Sequence, residues 1–113
     1  RLILTVGIML LVTGNMVLAL TGNLAGVVVG VALWGAHMAL TQGLFAKLLA
    51  DVAPPNLRAT SFGLFHVATG VGLLLASLGA GLLWDRDGSS ATFLASAAVA
   101  AGAGVMLWLL PRD

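Results

Sequence analysis

Long apolar segments alternate with short polar connections along this chain. The apolar segments cover residues 2–20, 24–46, 59–84 and 91–110, and the charged residues lie between or beside them. A helix crosses the hydrocarbon core of a bilayer with about 20 apolar residues. The pattern therefore predicts an all-α, multi-pass membrane protein with four membrane-spanning helices, which the short connections make antiparallel.

The three connections contain residues that end helices. Residues 21–23 are Thr-Gly-Asn, the second connection contains Pro54 and Pro55, and the third, residues 85–90, contains Gly88. Proline disrupts a helix interior but is tolerated in a first turn, so the proline pair ends one helix and starts the next. In the third connection we expect Ser89 or Ser90 to cap the fourth helix.

The basic residues give the predicted helices an orientation. Four basic residues fall on one side of the membrane, and the fifth falls on the other side between Asp85 and Asp87. Basic loops are retained preferentially in the cytoplasm, so we predict that both termini are cytoplasmic. The four cytoplasmic residues are Arg1, Lys47, Arg58 and Arg112, and the fifth is Arg86.

The composition supports lipid as the main solvent. The chain of 113 residues is 60% hydrophobic and 8% charged, whereas soluble domains contain about 25% charged residues. Its mean hydropathy of +1.11 argues against disorder. The net charge of +1 argues against nucleic-acid binding, and the lack of cysteine removes disulfides and thiolate metal sites. Because residue 1 is arginine rather than methionine, we expect a piece of a longer protein or a processed product.

The second span carries the densest group of polar side chains. Trp34, His37 and Thr41 follow one another at helical spacing, with Met38 and Gln42 on the adjoining edge. Polar groups at membrane depth face protein or a water-filled cavity. Two interpretations remain open: a solute-contacting face, or hydrogen bonds from His37 and Gln42 to a neighbouring helix.

Other polar and small residues favour contacts between helices. Asn15 is the strongest polar feature of the first span, and we expect it to contact another helix. Small residues at a spacing of four let helix backbones approach closely. A sliding surface for conformational change is the alternative role. The stripe residues are Gly22, Gly26 and Gly30 in the second span, and Ser77 and Gly81 in the third.

Charged residues and a histidine near the cytoplasmic edge are candidates for gating. Lys47 and Asp51 are one helical turn apart, and such exposed pairs contribute little stability. Arg58 begins the third helix, where its charge opposes the helix dipole, so it needs a partner such as Asp51. A gate latch is the sharper alternative. For His66 we favour a structural hydrogen bond over gating or proton handling.

We expect no enzymatic activity, metal or cofactor. The sequence contains no glycine-rich phosphate loop, no paired carboxylates within a span and no histidine pair at metal-ligand spacing. Ser61 and Ser77 have no evident base beside them.

Several short motifs resemble the major facilitator superfamily (MFS) of transporters. They are Pro54, Arg58 and Gly63 in a loop-to-helix segment, Phe-Gly-Leu-Phe at 62–65, Gly-Ala-Gly-Leu-Leu-Trp-Asp at 79–85 and Ala-Thr-Phe-Leu at 91–94. Their order and spacing resemble helices nine to twelve of a bacterial member. The resemblance implies twelve helices in two halves, alternating access, and a place for this chain in the C-terminal six-helix half.

The resemblance also implies roles for particular residues. The tenth helix of such transporters lines the central cavity, which implies solute contact by Trp34, His37, Met38, Thr41 and Gln42. The eleventh helix lies between the halves, which implies rocking at Gly70, Gly72 and Ser77. The implied activity is secondary transport of a small solute, with efflux one form of it, in the bacterial inner membrane. The implied partners are the bilayer, the solute, the preceding helices of the same transporter and protons, which His37 or His66 would handle.

Two other functions fit the same pattern of spans. A complete four-helix protein acting as a dimer would resemble the small multidrug resistance family, but that family uses a glutamate in its first span and this chain has no glutamate. A non-transporting scaffold or assembly subunit is the other alternative. The polar group around His37 argues against that role, because a scaffold needs only small and apolar helix faces.

Overall fold

The computed structural model describes residues 1–110, and nearly all of them are helical. The elements are α1 (Leu2–Leu20), α2 (Leu24–Val52), a 3-10 turn (Pro55–Leu57) and α3 (Arg58–Leu109). The prediction of an all-α fold is therefore confirmed. Arg112, one of the basic residues used to orient the chain, lies outside the described residues.

The first two helices are joined by the turn at residues 21–23. The backbone N–H of Thr21 donates to Val17 O and closes the last turn of α1. Asn23 then caps α2, because its side-chain oxygen accepts from Gly26 N at 2.8 Å. The bounds of α1 coincide with the first apolar segment, since these turn residues follow it directly.

The second helix continues beyond its predicted end. The apolar pattern ends it at residue 46, but α2 extends to Val52. Lys47 and Asp51 interrupt the apolar pattern without disfavouring helical backbone, so the helix continues until the proline pair restricts it. Ala53 has extended backbone angles immediately before Pro54.

The third and fourth predicted spans are both contained in α3. This helix has 52 residues, which in a straight helix would extend about 78 Å, yet the longest dimension of the molecule is 50 Å. The chain reverses at Gly88, whose φ of 87° and ψ of 177° are non-helical. Trp84 and Phe93, on either side of it, bring their ring centroids to 5.8 Å. We call residues 58–87 the first arm and residues 89–109 the second arm.

The reversal at Gly88 corrects two expectations about the third connection. Of residues 85–90, only Gly88 departs from helical geometry, so the predicted six-residue connection is wrong. The expected serine cap is also replaced by another contact. Ser90 Oγ donates to Ala19 O of α1 at 2.8 Å, and Thr92 Oγ1 donates to Gly88 O at 3.0 Å.

By length and composition, three helical segments can cross a membrane: Leu2–Leu20, Leu24–Val52 and Pro55–Leu109. Residues 1–110 thus form three such helices where the sequence predicts four, with α3 containing two of the predicted spans. Large apolar side chains on these helices are widely exposed, including Leu2, Leu24, Leu73 and Val99. Such surfaces suit lipid, and they indicate an integral membrane protein.

Helix α1 lies between α2 and the second arm and runs antiparallel to both. Gly7 contacts His37 while Gly14 contacts Gly30, so α2 runs against α1. On the other side, Ala19 contacts Ser90, and Arg1 Nη2 donates to Leu110 O at 2.7 Å. One end of the molecule therefore carries Arg1, the proline-containing connection and residue 110. The opposite end carries residues 21–23 and 85–87.

Candidate solute-contact site

The imidazole of His37 links α2 to α1. Its Nδ1 lies 2.8 Å from the carbonyl oxygen of Gly7, and the histidine is half-buried. A carbonyl oxygen only accepts, so Nδ1 carries the proton and donates it. The sequence left two interpretations of His37 open, solute contact or a hydrogen bond to a neighbouring helix. The bond to Gly7 is a hydrogen bond of the second kind.

Thr41 is buried one turn further along the same interface. Its Oγ1 donates to His37 O at 2.9 Å, and its Cγ2 packs against Gly7. A Cβ on Gly7 would lie only 2.6 Å from Thr41 Cγ2. The close approach of α1 and α2 therefore requires glycine at position 7.

A second close approach lies two turns toward the other end of α1. A Cβ on Gly14 would lie 3.2 Å from Gly30 O, and a Cβ on Gly30 would lie 2.6 Å from Leu18 Cγ. Of the small residues expected to pack, Gly30 is the one in close contact with another helix. Gly7 and Gly14 were not among them, although their spacing of seven residues places them on one face of α1.

The remaining small residues do not form close helix contacts. Gly22 lies before α2 begins, and Gly26 faces the side chain of Thr21 across the turn. In the first arm, a Cβ would meet nothing within 4 Å at Gly70, Gly72 or Gly81. Ser77 is exposed. Within residues 1–110, the glycines of the first arm thus remain an unpartnered surface.

The five solute-contact candidates divide between two sides of α2. With 3.6 residues per turn, Thr41 and His37 lie about 20° and 60° from Trp34 in one direction. Met38 and Gln42 lie about 40° and 80° from Trp34 in the other direction. The first pair contacts α1, whereas Met38 is half-buried and Gln42 is exposed. We call Trp34, Met38 and Gln42 the open face of α2.

An open groove of about 660 Å³ continues this face toward the end at residues 21–23. Val31 and Trp34 of α2 form one wall, and the facing surfaces of both arms of α3 form the others. Trp34 is 47% exposed, so its indole is available to a molecule in the groove. The groove is mainly apolar, and its polar lining residues are Asn15, Thr92 and Ser96.

Asn15 brings a polar group to the groove from α1. The residue is 5% exposed, and its Nδ2 donates to Leu11 O at 2.9 Å within the same helix. Its Oδ1 accepts no hydrogen bond from residues 1–110, and the side chain lines the groove. Asn15 therefore presents an acceptor to the groove rather than a hydrogen bond to another helix.

The gating candidates are exposed at the end of the molecule that carries Arg1. Lys47 and Asp51 form no ion pair, and neither does Arg58, when the described residues are considered. The ring of His66 is 5.7 Å from the ring of Phe65, with which it forms an edge-to-face contact. Within residues 1–110 that ring makes no hydrogen bond. The structure does not bring these four residues together as a latch.

Metal-ligating side chains do not cluster in the part of the chain that the structure describes. Among residues 1–110, no three histidine, cysteine, aspartate or glutamate side chains lie close enough to hold a metal ion. His37 and His66 belong to different helices. The site is therefore one of aromatic, amide and hydroxyl groups on an apolar surface.

Comparison with known proteins identifies distant relatives. The chain is 37% identical over 76 residues to the uncharacterized MFS-type transporter MJ1317 of Methanocaldococcus jannaschii, covering 67% of this chain and 19% of that protein. It is 33% identical over 76 residues to the uncharacterized protein Rv2265 of Mycobacterium tuberculosis, covering 67% of this chain and 18% of that protein. No family model matches the chain, and no solved structure matches it. The chain spans about a fifth of the length of the curated relatives it matches, and one of these relatives is an MFS-type transporter.

Proposed function

We propose that this chain is part of an MFS-type secondary transporter and contributes four membrane crossings to its C-terminal half. The observation that carries the proposal is the 37% identity to an MFS-type transporter over 67% of the chain. The reversal at Gly88 supports it, because each arm of α3 is long enough to cross the membrane separately. The partners proposed are the bilayer, a small solute, protons and the preceding helices of the same transporter. We propose no enzymatic activity.

In this proposal both ends of the chain face the cytoplasm of a bacterial cell. Arg1, Lys47 and Arg58 lie at one end of the molecule, and the acidic residues Asp85 and Asp87 flank Arg86 at the other. The excess of basic residues favours the cytoplasmic side for the first end.

The open face of α2 is the proposed place of solute contact. Trp34 and Gln42 supply an aromatic surface and an amide, whereas His37 and Thr41 hold α2 against α1. The groove beside Trp34 is largely apolar, and Asn15 adds one acceptor. These groups suit an uncharged, largely apolar solute. Such solutes enter membranes unaided, so we propose efflux as the direction of transport.

Nile red is a suitable probe, because it is uncharged, aromatic and apolar. Bacteria that lack their major efflux pumps would express the full-length protein, and cell fluorescence would report the accumulated dye. We expect expression to lower the accumulation and Gln42→Ala to restore it. Asn56→Ala, an exposed position in the proline-containing connection, is the control. If the full-length protein leaves accumulation unchanged at normal membrane levels, efflux of apolar solutes is wrong.

A further inference from the structure

Asn15 carries a buried amide whose oxygen has no partner within residues 1–110. The residue is 5% exposed, and its Nδ2 donates to Leu11 O. This bond identifies the amide nitrogen, so the other atom, Oδ1, is the acceptor. Among the described residues, no side-chain nitrogen or oxygen is both fully buried and unpaired. Because Oδ1 has no partner, it retains access to open space, and the groove that Asn15 lines supplies that space.

The depth of Asn15 makes an unpaired oxygen unfavourable. Asn15 lies five residues before the end of α1, which corresponds to about 8 Å along the helix. In the proposed crossing this depth belongs to the hydrocarbon core, where water is scarce. Lipid hydrocarbon contains no donor, and the backbone N–H groups of another helix bond within that helix. The donor for Oδ1 therefore comes from a polar side chain or from a bound solute.

Two aromatic side chains line the same groove. Trp34 of α2 lies beside the adjoining residue of α1, since a Cβ on Gly14 would lie 3.4 Å from Trp34 N. The ring of Phe93 lines the groove from the second arm and is held edge-to-face by Trp84. None of the described residues that line the groove is charged. These surfaces suit an uncharged aromatic solute.

A hydroxyl on the second arm resembles the amide of Asn15. Thr92 Oγ1 donates its proton to Gly88 O at 3.0 Å, so only its lone pairs remain for another partner. Asn15 and Thr92 each direct a donor to the backbone of their own helix and keep an oxygen that can accept. Ser96 also lines the groove, and its hydroxyl can donate or accept. The two committed donors match a solute that has an N–H or O–H group.

We propose that Asn15 is a specificity-determining residue, whose Oδ1 accepts a hydrogen bond from an N–H or O–H group of an uncharged aromatic solute. This proposal deepens the proposed function and rests on it, because it requires the groove to be a solute site. The competing donor is a polar side chain of another helix in the longer protein. A solute is favoured because α1, α2 and both arms supply the walls of the groove, which places it inside the proposed bundle.

Two substitutions of Asn15 that differ by one hydroxyl test the proposal. Thr41 and Thr92 each donate to the carbonyl oxygen four residues earlier. Asn15→Thr should therefore replace the bond to Leu11 O and keep an oxygen acceptor. Asn15→Val has nearly the same shape and no acceptor. Thr13→Val, at an exposed position of α1 that lines neither groove, is the control.

The probes are carbazole and 9-methylcarbazole. Carbazole is an uncharged aromatic molecule with one N–H donor, and a methyl group replaces that donor in 9-methylcarbazole. Equilibrium dialysis of the purified full-length protein in detergent would measure the Kd of each probe, with protein-free micelles as the blank. Because the methyl group also changes the size of the probe, the decisive comparison is between the threonine and valine variants.

We expect the wild type, Asn15→Thr and Thr13→Val to bind carbazole about fivefold more tightly than 9-methylcarbazole, the scale of one net hydrogen bond. Asn15→Val should lose most of this preference and bind 9-methylcarbazole as the wild type does. Equal preferences in the threonine and valine variants would overturn the proposal. The proposal would also be wrong if the wild type bound neither probe.

A structural role of Asn15 gives a different result. If another helix donates to Oδ1, Asn15→Val lowers the thermal midpoint without any probe and leaves the binding preference unchanged, which would overturn the proposal. The dialysis does not depend on transport, and Nile red has no N–H or O–H group. Loss of Nile red efflux with the carbazole preference intact would therefore contradict efflux alone. Nile red efflux without that preference would contradict the role of Asn15 alone.

Discussion

His37 Nδ1 donates to the carbonyl oxygen of Gly7 across 2.8 Å and joins α2 to α1. This bond predicts that His37→Ala destabilises the protein by about 1 kcal/mol, the scale of hydrogen bonds between membrane helices. His37→Asn retains a donor near the position of Nδ1, so we expect it to recover much of the loss. Reversible unfolding of the full-length protein in detergent would measure both variants. Equal losses for alanine and asparagine would mean that the hydrogen bond contributes nothing.

The contact between Gly7 and Thr41 predicts a loss that a second substitution repairs. Gly7→Ala would place a Cβ 2.6 Å from Thr41 Cγ2, which forces the helices apart. We expect Gly7→Ala to lower stability by about 1–3 kcal/mol, the usual cost of overpacking. Thr41→Ser removes that methyl group and keeps the hydroxyl, so the double variant should be more stable than Gly7→Ala alone.

The control for Gly7→Ala, Thr41→Ser and their double variant is Gly102→Ala, because a Cβ at Gly102 meets nothing within 4 Å. Its effect on stability should be small. The thermal midpoint in detergent would be measured for all four variants. If Thr41→Ser fails to repair Gly7→Ala, the two side chains are not in contact.

The reversal of α3 depends on glycine at position 88. Its φ of 87° with ψ of 177° is a conformation that residues with a Cβ rarely adopt. We expect Gly88→Ala to cost about 1–3 kcal/mol and to lower the yield of folded protein. Gly79→Ala, at a helical position in the first arm with open space around it, is the matched control. Similar yields for both variants would mean that the chain does not need this turn.

The hydrophobic pattern predicts the helices more accurately than it predicts their ends. It predicts both ends of α1, because the turn residues Thr21, Gly22 and Asn23 follow the apolar segment directly. It ends α2 too early, since Lys47 interrupts the apolar pattern while leaving the backbone helical until the prolines. It also divides α3 into two spans with a longer connection than the structure has, because charge at Asp85 and Asp87 does not end a helix.

The sequence predicts which residues of α2 share a face, but it does not predict which of them contact a neighbouring helix. Periodicity gives the direction of each side chain on its own helix, so it groups His37 with Gln42. It cannot tell which neighbour covers each edge, and contact with α1 places His37 at an interface while Gln42 remains exposed. The open oxygen of Asn15 depends on a hydrogen bond to Leu11 and on the position of α3, neither of which a single polar residue reveals.

Cysteine labelling tests the proposed crossings directly. The chain contains no cysteine, so Asn56→Cys and Ser89→Cys, both exposed, can be introduced singly. We expect an impermeant maleimide to label Ser89→Cys in intact cells and Asn56→Cys only in inverted membrane vesicles, with any native cysteine of the full-length protein replaced. Labelling of both positions from the same side would show that the first arm does not cross the membrane.

The division of α2 between an interface and an open face predicts two different kinds of defect. Thr41→Val removes the hydroxyl that donates to His37 O and should lower stability, with transport changing only as the amount of folded protein changes. Gln42→Ala removes an exposed amide that packs against nothing essential, so stability should remain unchanged while Nile red efflux falls. Thermal midpoints and efflux per folded molecule would be measured for both variants. An exposed amide that contacts only solute contributes nothing to folding. A loss of stability in Gln42→Ala would therefore mean that Gln42 packs against another helix.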